Sequence, residues 1–255
     1  MTSSLSLLGS TDSTVNHSSI GATSSAEPIQ EDELLLRLKR FSFAYRKRHP
    51  FVFQDVNIEL YQGKWIMLSG DNGTGKTTLS KLLTGMLPVP KGQVFWQGRD
   101  VAKWSIYDFA KEVGYVFQQP EQQFVAHTVL DELLYSPRSI LGLSAKEDIP
   151  IELLQRAEEM LEYLGLAHKR EMSPYLLSGG EKRLLSVAAI MILPRKLYIL
   201  DEPTAGLDYI GVQKLISLCR KAIADGASIL MITHEPTLFV GENIVVWHIA
   251  DGEIS

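Results

Sequence analysis

Residues 70–77 read Gly70-Asp71-Asn72-Gly73-Thr74-Gly75-Lys76-Thr77, which satisfies the spacing G-x-x-x-x-G-K-[ST] at every position. Glycines at 70, 73 and 75 allow a tight turn in which successive backbone N–H groups point inward, a geometry that suits a polyphosphate. Lys76 has the reach to touch terminal phosphate oxygens, and the Thr77 hydroxyl is a hard oxygen ligand suited to Mg²⁺. The alternative, a glycine-rich loop that happens to precede a helix, would need no apolar strand in front of it. Trp65-Ile66-Met67-Leu68 supplies that strand, and Leu79, Leu82, Leu83 and Leu87 supply a helical stripe over 77–87.

Other reactive side chains fall at the ends of apolar runs. Leu197-Tyr198-Ile199-Leu200 ends in the adjacent acids Asp201 and Glu202. With a phosphate loop upstream, the first acid suits Mg²⁺ and the second suits general-base activation of a water; a salt-bridged turn is the competing reading. The strand at 228–233 ends in His234, on the edge where open parallel sheets gather ligands, although a lone histidine is also a common satisfied polar residue. The strand at 113–117 runs into Gln118-Gln119-Pro120-Glu121-Gln122-Gln123, a polar loop suited to Mg²⁺, water or a γ-phosphate. Ser178-Gly179-Gly180-Glu181 opens a helix to about Ile192 and leaves free N–H groups for an anion. Tyr45, near a strand end, fits equally an adenine-stacking face and a solvent-edge strand tyrosine.

These residues require a framework. Strands are expected at 34–38, 41–45, 52–60 and 94–96, with Gly98 closing the last, and strands before and after the phosphate loop point to a mixed sheet. The span from Thr128 to about Ser186 reads as helical; Leu154, Ala157, Leu161 and Leu164 share a face and Gly165 stops that helix, with Glu158, Glu159 and Glu162 as solvated charge. A terminal hairpin strand is expected at 243–249. The 255 residues carry 45% hydrophobic side chains, enough for a substantial core. A net charge of −5 with no long basic run speaks against a broad nucleic-acid surface. Cys219, the single cysteine, excludes an internal disulfide framework and reads as core filler. No apolar run approaches the roughly 20 residues of a membrane span. Residues 1–33, rich in Ser and Thr, read as a flexible tail; a plastid address is disfavoured by the lack of arginine before Arg37.

Together, in this order, the motifs over residues 34–255 resemble the ATP-binding subunits of ABC transporters. Tyr45 matches the adenine-stacking aromatic, Gly70–Thr77 the Walker A loop, Gln118 the Q-loop, Leu177–Glu181 the signature with Glu in place of the usual Gln, Leu197–Glu202 Walker B with its catalytic glutamate, Ala205–Asp208 the D-loop and His234 the switch histidine. The resemblance implies an α/β fold: a P-loop NTPase (RecA-like) core, an antiparallel β subdomain, and an inserted helical signature subdomain at about 119–190. It implies ATP and Mg²⁺ as cofactors, with Glu202, His234, Gln118 and Lys76 catalytic and Thr77, Gln118 and Asp201 on the metal. Nucleotide contacts are implied for Tyr45, Gly70, Asp71, Asn72, Gly73, Thr74, Gly75, Lys76, Thr77, Thr78, Ser178, Gly179, Gly180 and Asp208. Ser178 and Gly180 would serve the ATP of a partner subunit, identical or paralogous, in a head-to-tail dimer.

Pro120-Glu121-Gln122-Gln123 is similar to a segment of energy-coupling factor importer ATPases, as are Thr128-Val129 and the AGLD run; Tyr135-Ser136-Pro137 departs from that group. That likeness implies a transmembrane coupling subunit, a possible substrate-binding membrane subunit, a vitamin or transition-metal cargo, no nucleic acid, and a peripheral place on the cytoplasmic membrane face. The competing function is a soluble ABC-type ATPase in iron–sulfur assembly. A regulatory scaffold without turnover is disfavoured by the presence of Glu202 and His234. The run between Gly75 and Ser178 leaves no room for the long coiled coil of chromosome-maintenance members.

Overall fold

The computed structural model describes residues 33–46, 50–144, 147–239 and 241–255. The tail expected over 1–33 lies, but for its last residue, outside them. Two sheets form. The first is antiparallel in the order β2 (Phe53–Tyr61), β1 (Leu34–Phe43), β4 (Val94–Trp96), β5 (Arg99–Asp100). The second has the order β10 (Glu253–Ile254), β9 (Ile244–Ala250), β3 (Trp65–Ser69), β8 (Ser228–Ile232), β7 (Leu197–Asp201), β6 (Val113–Val116). There β3, β6, β7, β8 and β9 run parallel, and β10 closes the edge antiparallel to β9. The antiparallel β subdomain and the parallel core thus form two separate sheets.

The helices are α1 (Lys76–Leu83), α2 (Ile106–Glu112), α3 (Val129–Leu141), α4 (Ile151–Leu164), α5 (Gly179–Met191) and α6 (Tyr209–Ala224). Alternating side chains of the parallel sheet sort to opposite faces, as the two-residue strand period demands. Trp65, Met67, Tyr198, Leu200, Ile229 and Met231 join the core beneath α3–α6. Ile66, Leu68, Leu197, Ile199, Leu230 and Ile232 join the core shared with the antiparallel sheet, α1 and α2. β7 and β8 are buried along their whole length, which explains their unbroken apolar sequence. Each buried Leu or Ile in such a layer contributes about 1.5–3 kcal/mol.

Several boundaries differ from expectation. The runs at 34–38 and 41–45 form one strand that ends at Phe43, bent by a register shift at Arg40 (φ 48°), so Tyr45 lies beyond it. α1 stops at Leu83 because Gly85 turns left-handed (φ 72°), where a Cβ would sit 2.5 Å from the Phe109 ring. The helical span from Thr128 divides into α3, α4 and α5, with Gly142 (φ 69°) and Gly165 (φ 79°) ending the first two. α2 and α6 are additions: Ser105 and Asp108 form a reciprocal capping box on the first, and Asp208 caps the second. Among the described residues no helix is long and apolar enough to cross a membrane.

Candidate active site

Parallel strands end at a common edge, and loops leaving that edge converge. Leu68 pairs with Ile232, Ile232 with Asp201, and Leu200 with Val116, so the phosphate loop, Gln118, Asp201–Glu202 and His234 emerge side by side. They enclose a cavity of 200 Å³ walled by Asn72, Gly73, Gly75, Lys76, Thr77, Thr78, Gln118, Asp201, Glu202 and His234, with Ile232 below.

The loop is built around two indispensable glycines. Gly70 has φ 142°, and a Cβ there would sit 2.5 Å from the Ile249 carbonyl oxygen of β9. Gly75, the N-cap of α1, has φ 115°, and its Cβ would meet Val52 at 2.8 Å and Phe53 at 2.9 Å. Lys76 Nζ donates to the Gly70 carbonyl (2.6 Å) and the Asp71 carbonyl (2.8 Å), and Thr74 Oγ1 donates to the same Asp71 oxygen at 2.9 Å. The ammonium is therefore centred in the loop, beside a helix N-terminus that adds its own positive end.

Opposite the loop stand the acids. Asp201 is buried, and Tyr115 Oη donates to its Oδ2 at 3.1 Å. Burial pushes the Asp201 carboxyl up, against the opposing pull of Tyr115, Arg183 and Lys76. Glu202 occupies the left-handed region (φ 50°), unusual for a residue with a side chain, while its N–H keeps a ladder bond to Ile232 O at 2.9 Å. Its carboxylate lies 3.2 Å from His234 Nε2. Burial also raises the Glu202 pKa, with the His234 field acting in the opposite direction. A carboxylate tuned upward beside an oriented imidazole suits proton abstraction from water.

Not all the sequence-selected residues gather here. Tyr45 is 56% exposed and joins the cavity wall through Thr78, Oη to Oγ1 at 2.9 Å. Gly70, Asp71 and Thr74 shape the loop without lining the cavity. Ser178, Gly179 and Gly180 lie outside it, at the start of α5. Ser178 and Glu181 form a capping box, and Lys169 Nζ bonds Glu181 Oε1 at 2.6 Å, so the Glu that replaces the usual Gln holds a second partner. A Cβ on Gly180 would sit 3.1 Å from the Gly206 carbonyl, placing that helix start against the loop before α6. The Asp208 carboxylate accepts from Gly211 N–H at 2.7 Å, the bond of a helix cap.

Two residues missed in the sequence matter. Tyr115 gave a signal as the inward position two residues before Phe117. Arg183 gave none locally, because its partners lie in another segment: Nη1 donates to Phe117 O (3.0 Å) and Nη2 to Gln118 O (2.6 Å). Gln123 Nε2 donates to Ser186 O at 2.7 Å, and Lys182 pairs with Glu121 at 3.1 Å. α5 thus grips the segment that carries Gln118.

The family described as "ABC transporter" matches residues 53–205. The energy-coupling factor transporter ATP-binding protein EcfA1 of Oceanobacillus iheyensis is 34% identical over 204 residues, 79% of this chain and 70% of that protein. An ABC transporter ATP-binding relative from Bacillus anthracis is 35% identical over 213 residues, 82% of this chain, and the chain spans 37% of that relative's length. Among solved structures, cbiO1 of Clostridium perfringens, described as part of the ABC transporter complex cbiONQ, aligns with TM-score 0.71 at 23% identity over 88% of each chain, a likeness of fold. The chain belongs to the ABC transporter family of ATP-binding proteins.

Proposed function

We propose that this chain binds and hydrolyses ATP as the energy-coupling subunit of an importer, paired with a second cassette and seated on a separate membrane subunit. The observation that carries the reading is a division of parts. One cavity holds Lys76, Gln118, Asp201, Glu202 and His234, whereas the Ser178–Gly180 helix start lies outside it. An anion-binding helix end with no phosphate loop of its own to face suits the ATP of a partner subunit. In this reading Gly70–Thr78 cradle the phosphates, Tyr45 stacks on the base, and Ser178, Gly179, Gly180 and Asp208 serve the composite interface. Glu202 takes a proton from the attacking water while His234 orients it and Lys76 stabilises developing phosphate charge.

The donor set fits Mg²⁺: a buried carboxylate, Asp201, shares one cavity with the Thr77 hydroxyl and the Gln118 amide, all oxygen ligands. When bound there, Mg²⁺ would neutralise charge on the phosphate oxygens, and those three residues would hold it.

The importer reading rests on Pro120–Gln123, which resembles the energy-coupling group, and on the identity to EcfA1. A vitamin or transition-metal ion is the cargo class, and the cytoplasmic membrane face is the site of action. Purification of the tagged chain from its own membranes in mild detergent tests this. A polytopic membrane chain that co-purifies and stimulates ATP turnover is the expected result. Soluble partners alone, with turnover intact, would replace the importer by an assembly-type ATPase.

A further inference from the structure

A second cavity, of 250 Å³, opens between α4, α5 and α6 and shares no lining residue with the phosphate-loop cavity. Its floor is apolar: Met160 from α4, Met191 from α5, Leu218 and Ala222 from α6, with Tyr198 of β7. Two hydrogen bonds hold Tyr198 in place. Tyr198 Oη donates to Leu193 O at 2.8 Å and accepts from Arg195 N–H at 3.1 Å.

Cations dominate the rim. Arg156, Arg195 and Lys221 line it, and among the described residues none of them makes an ion pair. Arg195 spends one bond on Pro194 O (3.0 Å), and Glu112, the acid whose field reaches it, pairs with Lys196 at 3.6 Å. Burial depresses the Arg195 pKa, so an incoming anion would relieve a desolvated charge. Glu159 and Asp225 stand on the same rim. Three cations against two acids leave a single positive charge, which one carboxylate neutralises. Two guanidinium groups favour a planar carboxylate, which they bind through paired N–H donors. The volume falls just under the roughly 300–1,000 Å³ of drug-sized sites.

We propose that this cavity binds a small organic monoanion, an apolar body of about ring size bearing one carboxylate. The proposal does not depend on how the chain uses ATP.

Calorimetric titration of the full chain with 4-phenylbutyrate and with its uncharged amide tests it. The acid is expected to bind saturably at one site, the amide about tenfold more weakly, and Arg156→Gln to weaken the acid by a similar factor. Ala222→Phe fills the cavity from α6 and is expected to abolish binding. Retained binding of a fluorescent ATP analogue shows that both variants are folded. The assignment is overturned if the acid does not bind wild type, if the amide binds equally well, if Ala222→Phe binds the acid as wild type does, or if ATP displaces the probe.

Discussion

Replacing Arg183 with Met removes the cation that ties α5 to the carbonyls of Phe117 and Gln118 while keeping a long, helix-tolerant side chain. Two bonds from a charged donor, at 3.0 and 2.6 Å, are worth about 1.5–3 kcal/mol each. Two terms offset them. The guanidinium is 5% exposed and its pKa is lowered first by burial, and its Nε lies buried with no partner, a penalty of about 1–3 kcal/mol. The net loss is therefore about 2 kcal/mol, or a fall of about 4–8 °C in melting temperature for a chain of this size. Thermal unfolding followed by circular dichroism reads that shift. Because the freed carbonyls belong to the segment carrying Gln118, the Mg²⁺ concentration needed for half-maximal ATP turnover is expected to rise in the same variant. A melting point within 1 °C of wild type together with an unchanged Mg²⁺ response would refute the clamp.

Gly70→Ala places a methyl group 2.5 Å from the Ile249 carbonyl at an unfavourable φ, and ATP affinity should fall about 10–100-fold by equilibrium binding. Gly73→Ala, with open space at its Cβ and strain alone, should lose less; equal losses would discount the steric argument. Tyr115→Phe removes the hydroxyl that donates to Asp201, so the Mg²⁺ requirement for tight ATP binding should rise about 3–10-fold, while binding in EDTA stays unchanged. Glu132 is buried and accepts from Val125 N–H (2.9 Å) and Ala126 N–H (2.8 Å), with its pKa raised chiefly by burial and partly lowered by those bonds. A raised folded pKa means the group supports folding best when protonated, and that support is lost as pH climbs through the folded value. Glu132→Gln keeps an acceptor for both N–H groups and should therefore gain on wild type in urea midpoint as pH rises from 4 toward 7, a gain absent at acid pH. A constant difference across that range would remove Glu132 as the cause.

The parallel strands were readable because burial on both faces leaves unbroken apolar runs, as at Leu197–Leu200 and Ile229–Ile232. The phosphate loop was readable because its function requires a local backbone shape, and that shape requires glycine. Asp208 illustrates the limit: a short acid before a helix can be a cap, an interface contact or both, and only the bond to Gly211 N–H shows that it caps α6. α6 was not assigned from the sequence, although Val212, Leu215, Ile216 and Cys219, all buried, carry its apolar stripe after Asp208. α2 spans seven residues, too few for a periodic stripe, and its signal was the Ser105–Asp108 box. Arg183 lay beyond reach, since its role depends on a tertiary approach that no local pattern encodes. The division into two sheets followed from the family resemblance, which implies an antiparallel β subdomain beside the core, and not from any local strand pattern.

In the proposed function Glu202 activates water for ATP hydrolysis at a site completed by a second cassette. Glu202→Gln keeps the size and hydrogen-bonding capacity of the side chain and removes its basicity. Turnover and particle mass by light scattering, measured in Mg²⁺ and ATP, test both halves of the claim at once. Turnover is expected to fall about 100-fold or more, with ATP bound and the mass doubled. A variant that hydrolyses ATP at the wild-type rate, or one that holds ATP as a monomer even with its co-purified partner cassette present, would contradict that function.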